Sequence, residues 1–257
     1  MSLTQVPPFG QLLGRFALAG VIAGAAAAAF QLLVTERTIA PALALEELRS
    51  ETGHDHSHED MFSRTTQEIG GVLGVVIAGV VFAVVVGSVF ALVRHRLPGG
   101  TDGARTAVLA AVGFGVFALL PALKIPANPP AVGDPVTVGI RTAIYGAVLV
   151  CGIVIALAVA ALVGALRARG SAGGAVAAAA LGLVVVLVTV VMVALPDSPD
   201  TISADVPAAV VWNFRLASLG QLAVLWAVLG VAAGWLVDRL TIPSTPSPAD
   251  VTRGVPA

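Results

Sequence analysis

Apolar residues in this chain do not alternate with polar ones; they run together. Six stretches, roughly Leu12–Val34, Ile69–Val93, Arg105–Leu123, Arg141–Leu166, Ala175–Leu195 and Trp212–Val237, are almost free of charge. A helix rises about 1.5 Å per residue, so about 20 apolar residues cross a hydrocarbon core roughly 30 Å thick. The pattern predicts an all-α, polytopic membrane helix bundle of about six transmembrane helices with Pro-rich outer loops. It places an integral membrane domain over residues 1–240, with a loop at 35–68, and a disordered cytoplasmic tail over 241–257. The first stretch is Ala-rich and holds Arg15 near its start. Its run is too long for the apolar region of a signal peptide, so it reads as an uncleaved span. Gly20 and Gly24, Gly70 and Gly74, and Gly230 and Gly234 lie four apart. Such pairs let helix backbones approach closely in lipid, which predicts a compact bundle.

Composition narrows the class. Of 257 residues, 57% are hydrophobic and 11% charged, with a mean hydropathy of +0.95. Soluble domains carry roughly a quarter charged residues. Disorder, nucleic-acid binding and an ordinary soluble enzyme are thereby excluded. The single cysteine, Cys151, excludes an intramolecular disulfide and a CxxC site. The only lysine, Lys124, follows no Gly-rich run, so there is no P-loop for ATP. No nucleophile–base pair or buried catalytic acid is visible, so the chain does not read as an enzyme.

Charge sets an orientation. With six spans the termini and the second and fourth loops share a side, which holds eight arginines against three acids. The other side holds six basic residues against twelve acids. Short arginine-bearing loops stay in the cytoplasm. The expected localisation is a bacterial cytoplasmic (inner) membrane, multi-pass, with cytoplasmic termini and the first, third and fifth loops facing outward.

Those outer loops hold nearly all the unusual chemistry. The first contains HDHSHED: His54, Asp55, His56, Ser57, His58, Glu59 and Asp60. Three of the chain's four histidines thus fall within five residues. Imidazoles flanked by carboxylates suit a divalent first-row transition metal, without choosing among Co, Ni, Zn and Cu. A solvated polar loop is the plainer alternative. Glu36 and Glu68, at the outer ends of the first two spans, form either a carboxylate pair at the mouth or interfacial caps. Inside the membrane the chain is chemically quiet, and the polar or soft residues available are Gln31, Thr35, Ser88, Tyr145, Cys151, Thr189, Met192, Ser218 and Gln221. A lone Cys or Met in such a helix usually packs.

The third loop, LPALKIPANPPAVGDP, has five prolines, at 121, 126, 129, 130 and 135, that forbid a regular helix, and irregular backbone must be buried in protein or wet. Lys124 either snorkels to the interface or pairs with an outer carboxylate such as Asp134. Asn128 and Asp134 offer oxygen ligands or serve as loop caps. The fifth loop, LPDSPDTISADVP, sets Asp197, Asp200 and Asp205 among prolines, where aspartates ordinarily form turns. Pro121 precedes Arg141 by twenty residues and Pro196 precedes Arg215 by nineteen, with Gly146 and Gly220 five further on. Spans three and four are thus expected to repeat as spans five and six, a device common in transporters.

The run FALLPALKIPANPPAVGDPVTVGIRTAIY, and later LPDSPDTISADVPAAVVWNFRLASLGQLAVLWAVLGVAAGW, resembles the CbtA family of cobalt-transporter subunits. The likeness covers the length of the chain, including the His-bearing loop. It implies an inner-membrane protein for cobalt(II) uptake linked to cobalamin supply, with no permanent cofactor. It also implies a small one-span His-containing partner, CbtB. The family is described with five spans, whereas the hydropathy gives six. The resemblance carries Lys124, Asn128, Asp134, Arg141, Asp197, Asp200, Asp205 and Arg215 over as candidates for the transport path. The rival readings are a non-transporting metal-capture or scaffold subunit of another permease, and a permease for a different solute.

Overall fold

The computed structural model describes residues 8–52, 64–130 and 132–240. Among these residues eight α-helices follow in order: α1 Phe9–Phe30, α2 Glu36–Thr52, α3 Arg64–Val93, α4 Asp102–Phe114, α5 Leu120–Lys124, α6 Val138–Ala168, α7 Gly173–Ala194 and α8 Ala208–Asp238. No strand occurs among the described residues. A five-residue π turn, Gln31–Thr35, joins α1 to α2, and another, Gly115–Leu119, joins α4 to α5. Six helical spans result, each long and apolar enough to cross a membrane.

The spans follow the apolar runs to within a few residues, but one expectation fails. Residues 35–68 are not a loop throughout. The first span continues as α2 to Thr52, and α3 begins at Arg64. Glu36, Arg37, Glu46 and Glu47 lower the hydropathy there, yet Ala, Leu and Glu are strong helix formers, so the helix outlasts its apolar run. Pro121, expected to exclude a helix, sits inside α5. It follows a π turn in which the Leu120 N–H reaches back five residues to the Gly115 carbonyl, so the hydrogen-bond register changes just before the proline's missing donor.

Neighbouring spans run antiparallel. α1 lies between α3 and α8, and α8 in turn packs on α4. The core of this body joins Phe16, Ala19, Ala23 and Ala27 of α1 to Phe90 of α3 and to Trp226, Leu229 and Ala233 of α8. Phe82, Phe117 and Trp226 meet with centroids 5.5 to 6.0 Å apart. α6 rests on the second π turn and α5, and α7 packs chiefly on α6. A Schellman closure ends α6: Gly170 at φ +73° donates to the Arg167 carbonyl, and Ser171 donates to that of Leu166.

Two of the three glycine pairs lie at helix contacts. Gly20 and Gly24 face α3, and Gly230 and Gly234 face α4. Gly70 and Gly74 face open space; α3 instead presents Gly79 to α1. Gly70→Ala and Gly74→Ala are therefore expected to leave the thermal midpoint in detergent unchanged or slightly raised, since alanine is the better helix former by about 1 kcal/mol. A fall of several degrees for either would contradict this packing.

Candidate functional site

The third and fifth loops meet at one end of the bundle and knit into a clasp. Lys124, the last residue of α5, is buried and donates from Nζ to Asp197 Oδ1 at 2.6 Å and to the Met192 carbonyl at 2.8 Å. Its partner is thus Asp197 and not Asp134, which accepts from the Val136 N–H and caps a short 3-10 turn at Pro135–Thr137. Lysine and aspartate meet because α5 and α7 end side by side. Asp200 sits at the centre of the clasp, with its side chain 3% exposed. Its Oδ2 accepts from Arg141 at 2.7 Å and from Asn128 Nδ2 at 2.8 Å. Its Oδ1 accepts from Thr137 Oγ1 at 2.5 Å. Arg215 donates to Asn128 Oδ1 at 2.9 Å and to the Ala127 carbonyl at 3.2 Å.

Each arginine therefore grips the other hairpin's loop. Arg141, behind the third loop, holds the fifth; Arg215, behind the fifth, holds the third. The resemblance between the hairpins goes no further in packing. Arg141 is the fourth residue of α6 and Arg215 the eighth of α8. Gly146 faces open space, whereas Gly220 meets the Phe30 ring.

The clasp is built to hold backbone in place. Asp200 spends both oxygens on protein donors. Lys124 pairs with Asp197 and Arg141 with Asp200, while Arg215 holds Asn128 and the Ala127 carbonyl. Asp205 is exposed at the turn before α8. Above the clasp, Ala42 of α2 buries against Val132, Val206 and Val211, so α2 roofs both loops.

Below the clasp a polar seam crosses the α1–α8 contact at the first π turn. Thr35 Oγ1 donates to Gln221 Oε1 at 2.9 Å, and Gln221 Nε2 donates to Gln31 Oε1 at 3.3 Å. Gln31 Nε2 points to Glu36 Oε1 at 3.5 Å. Glu36 is thus tied to the seam, and Glu68 lies on the facing α3. Two other intramembrane hydroxyls are spent locally: Ser88 and Thr189 each donate to a carbonyl four residues back. Cys151 and Met192 pack around a separate apolar cluster with Val148 and Val191.

The opposite end holds a feature that hydropathy and charge counting pass over. Asp102 is buried at the start of α4 and pairs with Arg94 at 2.6 Å and Arg105 at 2.8 Å. Asp238 accepts from the Gly103 N–H at 2.8 Å and so ties α8 to α4. Arg94 and Arg105, two of the arginines counted for the expected orientation, thus also close this end of the bundle.

The HDHSHED tract, with His54, Asp55, His56, His58, Glu59 and Asp60, lies outside the described residues. It joins α2 to α3 in sequence. Among the described residues, no three of His, Cys, Asp or Glu gather to hold a metal ion.

Six apolar spans lie under a loop clasp built from the LPALK and DSPD segments. A family model, CbtA, described as a probable cobalt transporter subunit, matches residues 9–238. The chain belongs to the CbtA family. No curated protein and no solved structure matches it. The CbtA match begins with α1 and ends with α8, so it takes in all six spans, the clasp and the His-bearing tract. With the six apolar helices it makes the chain a multi-pass membrane protein of a cobalt transporter subunit family, not of an enzyme family.

Proposed function

We propose that the chain is the membrane-spanning permease component of a cobalt(II) uptake system of the bacterial inner membrane, linked to cobalamin supply. The match to a cobalt transporter subunit family over residues 9–238 carries this reading. The termini lie in the cytoplasm, and the clasp and the HDHSHED tract face outward; the charge distribution supports that orientation. His54, His56 and His58, with Asp55, Glu59 and Asp60, capture the ion at low concentration and feed it to the bundle. A divalent ion entering a negative-inside cell gains about 4.6 kcal/mol per 100 mV, enough to drive uptake without ATP. A small His-containing single-span protein, CbtB, is the proposed partner. Glu36 and Glu68 lie on the ion's route; Lys124, Asn128, Asp134, Arg141, Asp197, Asp200, Asp205 and Arg215 hold the loops that frame it.

The test is radiolabelled cobalt uptake by cells carrying the wild type or the His54→Ala/His56→Ala/His58→Ala variant. Uptake at limiting cobalt is expected to fall several-fold, with the rate at saturating cobalt near that of the wild type. Equal uptake at limiting cobalt removes the capture role. The family description as a subunit favours one second reading, a capture or scaffold subunit that does not itself conduct. Purified chain in liposomes loaded with a cobalt-sensitive dye separates the two. Cobalt entry with the chain alone supports the permease; entry only with a partner supports the scaffold.

A further inference from the structure

Two spans leave the regular α-helix, and the π turn of the first span gathers polar side chains. π turns inside helices recur at functional sites. At Gln31–Thr35 the Glu36 N–H reaches back to the Gln31 carbonyl, which resets the side chains that follow relative to those of α1. Gln31 and Thr35 then meet Gln221, which is 190 residues from Gln31 in sequence, and Glu36 joins them through Gln31. Gln221 lies six residues, about 9 Å along α8, inward of Arg215 in the clasp. The facing position on α3 is Gly71, where a Cβ would sit 2.7 Å from Gln31 Nε2. Glycine there makes room for the amide. Glu68 stands three residues earlier, on the same face of α3.

The chemistry of this seam is specific. It offers two amide oxygens, a hydroxyl and a carboxylate at the α1–α8 contact, with Glu68 one turn away on α3. Oxygen donors of this kind replace water around a divalent 3d cation or accept hydrogen bonds from its remaining waters. Neutral amides bind weakly, and a conducting site must release what it takes. Polar residues inside a span mark ion pathways more often than chance. In the clasp above, both oxygens of Asp200 and one of Asp197 already accept from protein donors, two of them cationic, so the seam is the better-suited oxygen site within the spans.

We propose that Gln31, Thr35, Gln221 and Glu36 form the point in the bundle where a partly hydrated divalent transition-metal cation is coordinated as it crosses. The inference rests on the transport reading above. The competing role is interhelical glue, in which the amides only hold α1 to α8.

The test uses full-length chain in cells that natively make it, with radiolabelled cobalt(II) as probe and membrane levels matched. Gln31→Leu/Gln221→Leu is expected to lower uptake at saturating cobalt at least tenfold, and Thr35→Val several-fold. A second arm uses Gln221→Cys in a Cys151→Ser background. Cadmium, which binds a thiolate tightly, is expected to block its uptake at concentrations at least tenfold below those that block Cys151→Ser alone. Uptake by the double Leu variant at half the wild-type rate or more overturns the proposal, as does unchanged cadmium sensitivity in a transporting Gln221→Cys chain. Lost uptake with a lowered melting midpoint in detergent for both the Leu and Cys variants assigns the seam to helix packing and also overturns it. If the wild type itself takes up no cobalt(II), the transport reading fails and this inference with it.

Discussion

Replacing Asp200 with alanine is expected to cost the fold about 3 kcal/mol, because one partner of a buried ion pair is removed and the other is left. The side chain of Asp200 is 3% exposed and that of Arg141 25%, so water cannot fully replace the lost carboxylate. Asn128 and Thr137 lose their acceptor at the same time. Arg215 keeps its bonds to the third loop, and Lys124–Asp197 is left as the side-chain tie between the two loops. Asp200→Asn keeps an acceptor without the charge and is expected to cost less. A further Arg141→Met change in the Asp200→Ala background should recover part of the loss, since the stranded cation is gone. By contrast, Asp134→Ala removes one cap of a short turn and is expected to cost about 1 kcal/mol or less. Reversible denaturation of the full chain in detergent measures all four. An Asp200→Ala chain as stable as the wild type would mean that the clasp does not hold the loops.

The six spans were legible because their signal is local. A run of some twenty apolar residues needs no partner to be recognised, and Arg94, Arg105 and Arg167 mark where runs stop. The continuation of α1 into α2 was hidden because hydropathy and helix propensity part company after Thr35: charge ends the apolar run, while the Ala-, Leu- and Glu-rich sequence keeps the helix. The clasp was half legible. Asn128, Arg141, Asp200 and Arg215 stood out as polar residues at span ends, but their pairing spans 59 to 87 residues of sequence, and no spacing rule states it. Lys124 illustrates the limit: Asp134 is the nearer acid in sequence, whereas the packing of α5 beside the end of α7 gives it Asp197. Likewise Gln31, Thr35 and Gln221 were visible as polar atoms in apolar helices, and only the antiparallel α1–α8 contact brings them together. The glycine pairs show the same division. Spacing alone treats Gly70 and Gly74 like Gly20 and Gly24, because it does not say which face of a helix is covered.

That coverage makes Gly24, like Gly20, a position where a small change has a large structural effect. A Cβ at Gly24 would lie 2.7 Å from the Val76 Cα and 3.0 Å from its carbonyl oxygen. At Gly20 it would meet the Gly79 carbonyl oxygen at 2.7 Å and the Val80 Cα at 2.8 Å. These are backbone atoms, so no rotamer change relieves the clash, and α1 and α3 must move apart. Gly220 is different, because a Cβ there meets the tip of the Phe30 ring at 3.0 Å, which a side chain can relieve. Gly24→Ala is therefore expected to destabilise by about 1–3 kcal/mol, in the range for overpacking a tight contact. Gly24→Leu, with three more carbons, is expected to prevent accumulation of the folded chain in the membrane. The cause is the contact between the two most extensively packed spans, where in lipid van der Waals approach replaces the hydrophobic drive. The effect should also reach the polar seam, since Gln31 lies two turns further along α1 and faces Gly71 of the same helix α3. A Gly24→Ala chain that still folds should thus lose cobalt uptake more steeply than its stability loss alone accounts for, while Gly220→Ala keeps both. Membrane levels, the melting midpoint in detergent and uptake per folded chain separate these outcomes. Wild-type levels of Gly24→Leu would show that α1 and α3 do not meet at this glycine.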